Sequence, residues 1–291
     1  MIAVLGPGGV GGFLAAALAR AGEDVCVVAR EPTAEVIASD GITVESVRLG
    51  DFTARPVAAP RLTEPGATLI VATKSTTLPA ALARVEAKPA LVVPLLNGLD
   101  HLPLLRERFG AGRVPAGTIR IEAERVAPGR ITQTSPFLRV DLGPPSPALD
   151  ELAATFERAE VPARVIAEPQ VIWGKLVRLN ALACLTSVYD LPVGPIREDP
   201  RMRAELEVCL REGAAVAAAE GADVSADDEM AQLDDAHATL GSSMQRDIAA
   251  GIEPELDAIP GAVLRAAERH GLEAPTIARM YERIVARVAA A

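Results

Sequence analysis

The chain has 291 residues, 49% of them hydrophobic, which is enough for one or two domains with a sizeable core. Its formal net charge of -10 argues against nucleic acid or an anionic membrane surface as a partner. The first predicted strand begins at residue 2, which leaves no room for a signal peptide, and no uninterrupted apolar stretch is long enough to span a bilayer. The sequence therefore predicts a cytoplasmic protein.

A glycine-rich turn follows the first predicted strand, Ile2–Leu5, and precedes an alanine-rich helix predicted at residues 13–21. Its residues are Gly6, Pro7, Gly8, Gly9, Val10 and Gly11. In this GxGxxG pattern the first glycine permits a tight turn, the second lets the backbone approach phosphate groups, and the third lets the helix pack on the strand. With a second strand predicted at residues 24–29, the pattern predicts a dinucleotide-binding βαβ unit.

The end of the second predicted strand bears on the choice of dinucleotide. A site selective for NAD places Asp or Glu there for the ribose 2′-hydroxyl group, whereas this chain has Arg30. A guanidinium is suited to the 2′-phosphate group of NADP. Glu31 follows directly and favours NAD, and a simply solvated Arg30 is the structural alternative. We favour Arg30 as a phosphate ligand and predict NADPH as the cofactor.

The rest of the N-terminal half alternates short apolar strands with helices, as in a parallel sheet with crossover helices. Strands are predicted at residues 68–72, 91–96, 114–124, 130–134, 138–142 and 161–167. Helices are predicted at residues 79–87 and 101–109. Residues 44–58 alternate polar and apolar side chains around Gly50 and Asp51, which predicts a β-hairpin.

After residue 167 the chain has helical periodicity, repeated prolines and no convincing strand. We therefore predict an α/β Rossmann domain with a mostly parallel, doubly wound sheet over residues 1–167, followed by an all-α domain over residues 168–291. The first helix of that domain, residues 172–189, is apolar nearly all round and has Lys175 and Arg178 as its only charges. A lysine there requires water, an anion or a reacting group, and snorkelling to solvent is the structural alternative.

The cysteines and histidines predict neither a disulfide framework nor a metal site. The three cysteines are widely spaced in apolar or helical stretches, which is typical of buried, reduced thiols. The three histidines are too scattered for a sequence-local metal site. We predict no structural or catalytic metal.

Taken in order, the motifs resemble the ketopantoate reductases, also called 2-dehydropantoate 2-reductases, over almost the whole chain. The shared features are GxGxxG, Arg30, Lys74, Asn97-Gly98, Trp173-x-Lys175-Leu176, Ser242-Ser243-Met244-x-x-Asp247 and Pro254-Glu255-Leu256-Asp257. The resemblance implies NADPH-dependent reduction of a small 2-keto acid to a 2-hydroxy acid. The oligomeric state is left open, a homodimer included.

The resemblance also implies a role for each shared residue. Lys175 would donate a proton to the ketone oxygen, where hydride transfer leaves negative charge. Asn97 would orient the ketone and the lysine and contact the cofactor, and Ser243 would bind the substrate carboxylate. The other cofactor contacts would be Arg30 and Lys74 at the adenosine 2′-phosphate, Glu255 at the nicotinamide ribose, and Ala123. Taken singly, these residues have ordinary explanations as turn, helix-start or first-turn residues.

Several positions depart from the family pattern. The family usually carries asparagines four and eight residues after the lysine and another in the following loop, where this chain has Leu179, Ala183 and Val193. Gly241 replaces a small polar residue. Asn180 would point about 100° away from Leu179 on a regular helix, and only a π-bulge would return it to the lysine face. We predict relaxed selectivity for ketopantoate, with 2-keto acid reduction retained.

Two other functions stay open at this point. One is an NADPH-binding regulatory protein without turnover, which the retained Lys175, Asn97, Ser243 and Glu255 disfavour. The other is a different Rossmann enzyme such as a 3-hydroxy acid dehydrogenase. Those enzymes usually carry a long central helix between their domains, which the proline-broken segments here fit poorly.

Overall fold

The computed structural model describes residues 1–290, which form two compact units. The first unit comprises Met1–Leu96 and His101–Val171, and the second comprises Asn97–Asp100 and the described residues from Ile172 onward. The short segment Asn97–Asp100 therefore belongs with the second unit, although the chain on both sides of it belongs to the first.

All strands of the described chain lie in the first unit. In chain order they are β1 (Ile2–Leu5), β2 (Val25–Val28), β3 (Ile42–Ser46), β4 (Phe52–Ala54), β5 (Val57–Ala59), β6 (Thr68–Val71), β7 (Leu91–Pro94), β8 (Ala116–Arg120), β9 (Ala123–Ala127), β10 (Arg130–Gln133), β11 (Arg139–Gly143) and β12 (Ala163–Val165). The helices are α1 (Gly9–Arg20), α2 (Glu31–Asp40), α3 (Leu78–Leu82), α4 (His101–Phe109), α5 (Pro147–Arg158), α6 (Glu168–Tyr189), α7 (Val193–Glu198), α8 (Pro200–Ala219), α9 (Ala226–Asp235), α10 (Ser243–Ala249), α11 (Ala262–Arg269) and α12 (Pro275–Ala290).

A five-stranded parallel sheet forms the centre of the first unit, with the strand order β5-β2-β1-β6-β7. Every residue of β1 and β2 is buried, which explains why both strands have uninterrupted apolar sequences. Leu5 pairs with Val28 on one side and with Val71 on the other, so β1, β2 and β6 end at the same level. The predicted fold class, an α/β unit with a parallel sheet followed by a helix-rich region, is confirmed.

Two smaller sheets complete the first unit, with the strand orders β4-β3-β10-β9 and β12-β11-β8. The hairpin predicted at residues 44–58 is formed by β3 and β4, which pair with each other. It ends before β5, because β5 pairs with β2 in the central sheet. The single strand predicted at residues 114–124 is wrong: β8 pairs with β11, and β9 pairs with β10 in the other sheet. A change of pairing partner within one apolar stretch leaves no mark in the local pattern.

The helix that carries Lys175 starts earlier than predicted, at Glu168. Glu168 and Pro169 are favourable residues for a helical first turn, which explains the extension. The first four residues of this helix, α6, are grouped with the first unit and the rest with the second. By length and composition alone α6 could cross a membrane, but most of its apolar stretch is buried inside the protein.

The three cysteines are buried and free, as predicted. Burial raises the pKa of the Cys184 thiol to about 12, and burial also raises the pKa of Cys26 and Cys209. Because a nucleophilic cysteine must be a thiolate, these side chains act as small apolar core residues rather than as reactive groups.

Candidate active site

The glycine turn is built as the sequence predicts. Gly6 follows β1 with a φ of +91°, and its amide donates to the carbonyl of Val28 at 3.1 Å. A Cβ atom on Gly11 would lie 2.2 Å from the carbonyl oxygen of Gly6, so α1 packs directly onto the turn. Val10 lies half-buried in the first turn of α1, and Pro7 is buried. The N-terminus of α1 therefore stands directly behind the turn, with first-turn N–H groups suited to an anion.

Two features around this turn fit a bound dinucleotide. A Cβ atom on Gly8 would meet nothing within 4 Å, so this part of the turn is open. The hydroxyl of Thr73 is buried and has no hydrogen-bond partner within residues 1–290, while its methyl group lies beside Gly6. Ala123 begins β9, and its carbonyl oxygen would lie 2.0 Å from a Cβ on Gly9, so its backbone packs against the turn.

The predicted basic residues lie at the same sheet edge as the glycine turn. Arg30 follows β2 and is the exposed N-cap residue of α2, and its guanidinium has no partner among the described residues. Lys74 follows β6 and is the half-buried N-cap of the short 3-10 helix Ser75–Thr77. Because β1, β2 and β6 end at the same level, both residues follow strands that end beside the turn.

Glu31, the residue that favours NAD, is engaged by a partner that the sequence pattern did not reveal. Arg84 donates to both carboxylate oxygens of Glu31 at 3.2 Å, and to the carbonyl of Pro60 at 3.1 Å. These hydrogen bonds hold the pKa of Glu31 below its usual value. Arg84 follows the short helix α3, far along the chain, so no local motif points to it.

In the second unit, three predicted residues from distant segments meet in one hydrogen-bonded chain. The Lys175 Nζ atom donates to Asn97 Oδ1 at 2.9 Å, and Asn97 Nδ2 donates to Glu255 Oε2 at 2.9 Å. Lys175 and Asn97 are half-buried, and Glu255 is 6% exposed. The Asn97 amide therefore binds an ammonium on one side and a carboxylate on the other, which holds the ammonium in a defined position.

An arginine that the sequence analysis missed ties together the two segments that carry Asn97 and Glu255. Arg265 on α11 donates to the side chain of Asp100, to Asp257 Oδ1 at 2.6 Å, and to the Asp257 carbonyl at 2.8 Å. Residues Asp257–Gly261 form a π-helical turn, in which the Gly261 amide donates to the Leu256 carbonyl at 3.1 Å. Pro260 lies in this turn and has no amide hydrogen, which favours the wider turn.

The helix face beyond Lys175 differs from what the missing asparagines suggested. Leu179 is half-buried, but Ala183 and Val193 are 0% exposed and belong to the core. Asn180 is also 0% exposed, its Nδ2 atom has no partner within residues 1–290, and α6 is α-helical throughout. The π-bulge that would bring Asn180 to the lysine face is absent from the described chain.

The two serines have different positions. Ser242 is buried, caps α10 by accepting from the Gln245 amide at 3.0 Å, and shares a hydrogen bond of 2.8 Å with Thr186 of α6. Ser243 is half-buried at the first position of α10, and Gly241 is half-buried just before the two serines. The Ser242 hydroxyl therefore has a structural role.

A glycine turn on a parallel sheet, together with a helical unit that holds a hydrogen-bonded lysine, defines a two-domain oxidoreductase. Residues 2–147 match the family model "Ketopantoate reductase PanE/ApbA", and residues 169–287 match "Ketopantoate reductase PanE/ApbA C terminal". The chain therefore belongs to the ketopantoate reductase family, which confirms the resemblance seen in the sequence. It is an oxidoreductase acting on CH–OH groups, and the family implies a nicotinamide cofactor.

Individual relatives agree with this assignment. The 2-dehydropantoate 2-reductase of Caulobacter vibrioides is 31% identical over 281 residues, which cover 94% of each chain. The crystal structure of 2-dehydropantoate 2-reductase from Geobacter metallireducens is 25% identical, with a TM-score of 0.89 and coverage of 98% of this chain and 99% of that one. A ternary structure of D-mandelate dehydrogenase with NADH and anilino(oxo)acetate shares the fold, at 20% identity and a TM-score of 0.87 over 99% of this chain and 98% of that one.

Proposed function

We propose that this protein reduces a 2-keto acid to a 2-hydroxy acid with NADPH, and that Lys175 is the proton donor. The observation that carries the proposal is the hydrogen-bonded chain from Lys175 through Asn97 to Glu255. When bound, NADPH supplies a hydride to the ketone carbon. The Lys175 ammonium donates a proton to the ketone oxygen, where negative charge develops.

Asn97 and Glu255 prepare Lys175 for this step. The Asn97 carbonyl oxygen accepts from the ammonium and so restricts the long, flexible side chain to one direction. Glu255 accepts from the other end of the same amide, which fixes the amide in the orientation that presents its oxygen to the lysine. Ser243, half-buried at the start of α10, is the residue we assign to the substrate carboxylate.

The choice of NADPH over NADH is supported by Arg30 and Glu31, the second and third residues after β2. Arg30 has a guanidinium without a partner in the described chain, so it is available to a 2′-phosphate group. Glu31 accepts a hydrogen bond from Arg84 on each carboxylate oxygen, which leaves it less available to ribose hydroxyl groups. Lys74 adds a second positive charge at the same sheet edge.

The remaining cofactor contacts and the assembly belong to the same proposal. We assign the turn from Gly6 to Gly11, together with Ala123, to the dinucleotide, and Glu255 and Asn97 to its nicotinamide end. We further propose a cytoplasmic enzyme that works on a small molecule. A homodimer is supported by a ketopantoate reductase from Staphylococcus aureus that is described as dimeric and is 21% identical to this chain.

An assay of NADPH oxidation with a mixture of 2-keto acids tests the proposal against a regulatory protein without turnover. We expect NADPH absorbance to fall only when a 2-keto acid is present, and the matching 2-hydroxy acid to form. Tight NADPH binding with no consumption, for any 2-keto acid of the mixture, would favour the regulatory alternative.

Arg265→Ala tests whether the site depends on the tie between the segments of Asn97 and Glu255. Because small displacements of catalytic groups cost up to about 10²-fold, we expect kcat to fall by about 10- to 100-fold. Arg265→Lys should restore part of kcat. Arg269→Ala, on the same helix but paired with Glu220, is the matched control and should leave kcat unchanged. Equal losses in both alanine variants would make Arg265 a purely structural residue.

A further inference from the structure

We propose that the preferred substrate is a 2-keto acid with a branched aliphatic side chain and no terminal hydroxyl group, and that this side chain lies against Leu179 and Leu182. The inference rests on the proposed function, because it uses the Lys175 ammonium to place the ketone. It deepens that function by naming the substrate class and the residues that select it.

The accessible face of α6 is the first observation. Most of this helix is buried, but Lys175, Leu179 and Leu182 are all half-buried. At about 100° per residue, positions four and seven after the lysine lie within about 40° of it around the helix axis. In the C-terminal direction from the ammonium, α6 therefore presents the side chains of Leu179 and Leu182, with the half-buried Arg178 about 60° from the lysine around the axis.

The polar side chains of α6 around this face are bound by other residues or lie in the core. Arg178 forms an ion pair of 3.2 Å with Glu229 and also donates to Gln232, both on α9. Thr186, one turn beyond Leu182, shares its hydroxyl hydrogen bond with Ser242. Asn180 lies in the core at 0% exposure, about 140° from Lys175 around the helix axis.

This arrangement determines how the site treats a substrate hydroxyl group. A site built to hydrogen-bond a hydroxyl rejects an analogue that lacks it by about 10⁴- to 10⁵-fold, because its own polar groups are left unpaired. An apolar wall has no such groups, and it rejects an added hydroxyl by only about 10²-fold. Leu179 and Leu182 form a wall of the second kind, so methyl branches gain contact and a hydroxyl gains no partner.

The test compares ketopantoate with trimethylpyruvate, which differ by one hydroxyl group. For the unmodified protein we expect kcat/KM for trimethylpyruvate to equal that for ketopantoate or to exceed it by up to about 100-fold. In Leu179→Asn, the ratio should shift toward ketopantoate by at least about tenfold, because a hydrogen-bonding group then stands on the wall. A larger KM for trimethylpyruvate should account for most of the shift.

Two control variants separate polarity from general damage. Leu179→Met keeps an apolar side chain of similar volume and should leave the ratio unchanged. Val188→Asn makes the same kind of change on α6, at a half-buried position about 220° around the helix axis from Lys175, and should also leave it unchanged.

The outcomes separate a failure of the proposed substrate preference from a failure of the proposed 2-keto acid reductase activity. If the unmodified protein prefers ketopantoate by about tenfold or more, the apolar-wall inference is overturned while the 2-keto acid reductase stands. If Leu179→Asn leaves the ratio unchanged while both controls behave as expected, Leu179 does not contact the substrate and the inference also fails. If neither compound nor any other 2-keto acid is reduced, the proposed function itself fails.

Discussion

Lys175→Ala is expected to lower kcat by about 10² to 10⁴, which is the usual contribution of a positioned general acid. Without the ammonium, the negative charge that develops on the ketone oxygen has neither a proton donor nor a cation beside it. Lys175 lies in the second unit, whereas the glycine turn, Arg30 and Lys74 lie in the first. Binding of NADPH, followed by its fluorescence, should therefore stay near normal.

The matched control is Lys88→Ala, which removes an exposed lysine from the first unit. That variant should turn over at the normal rate. The turnover rate of Asn97→Ala should fall between those of the two lysine variants, because this change leaves the ammonium in place but removes the oxygen that accepts its hydrogen bond. A Lys175→Ala protein that keeps most of its turnover would exclude this lysine from the mechanism.

Arg30→Ala is expected to raise the KM for NADPH by about 10- to 150-fold and to leave the KM for NADH nearly unchanged. One hydrogen bond to a charged group is worth roughly 1.5 to 3 kcal/mol, and each 1.4 kcal/mol corresponds to about tenfold in affinity. NADH has no 2′-phosphate group, so its binding does not depend on this hydrogen bond. The measurement is initial-rate kinetics with each cofactor at a saturating 2-keto acid concentration.

Arg201→Ala serves as the matched control, because it removes an exposed arginine from the second unit. It should leave the KM for both cofactors unchanged. An unmodified protein that uses NADPH and NADH equally well would contradict the assignment of Arg30. So would an equal rise of both KM values in Arg30→Ala.

The features that could be predicted from the sequence are those with local signals. The strand β1, the glycine turn and the start of α1 follow one another along the chain, and each demands particular residue types at fixed spacing. The apolar helix around Lys175 was predicted for the same reason, although its start was placed too late. Local patterns of this kind need no knowledge of what packs against them.

The features that could not be predicted depend on contacts between distant segments. The pair Glu31 and Arg84 and the fork from Arg265 to Asp100 and Asp257 exist only once the chain has folded. The position of Ala183 and Val193 in the core likewise depends on which neighbours cover them. The family pattern alone suggested three replaced polar side chains near Lys175. Because Ala183 and Val193 are buried, Leu179 is the accessible one of the three.

The most direct test of the proposed reaction is transfer of deuterium from NADPH labelled twice at C4 of the nicotinamide. With trimethylpyruvate or ketopantoate as substrate, we predict a 2-hydroxy acid that carries one deuterium at C2, detected by mass spectrometry, in amounts equal to the NADPH consumed. The same reaction in Lys175→Ala should yield the same labelled product far more slowly. A 2-hydroxy acid without deuterium, or NADPH that binds and is never consumed, would contradict the proposal that this protein reduces 2-keto acids by hydride transfer.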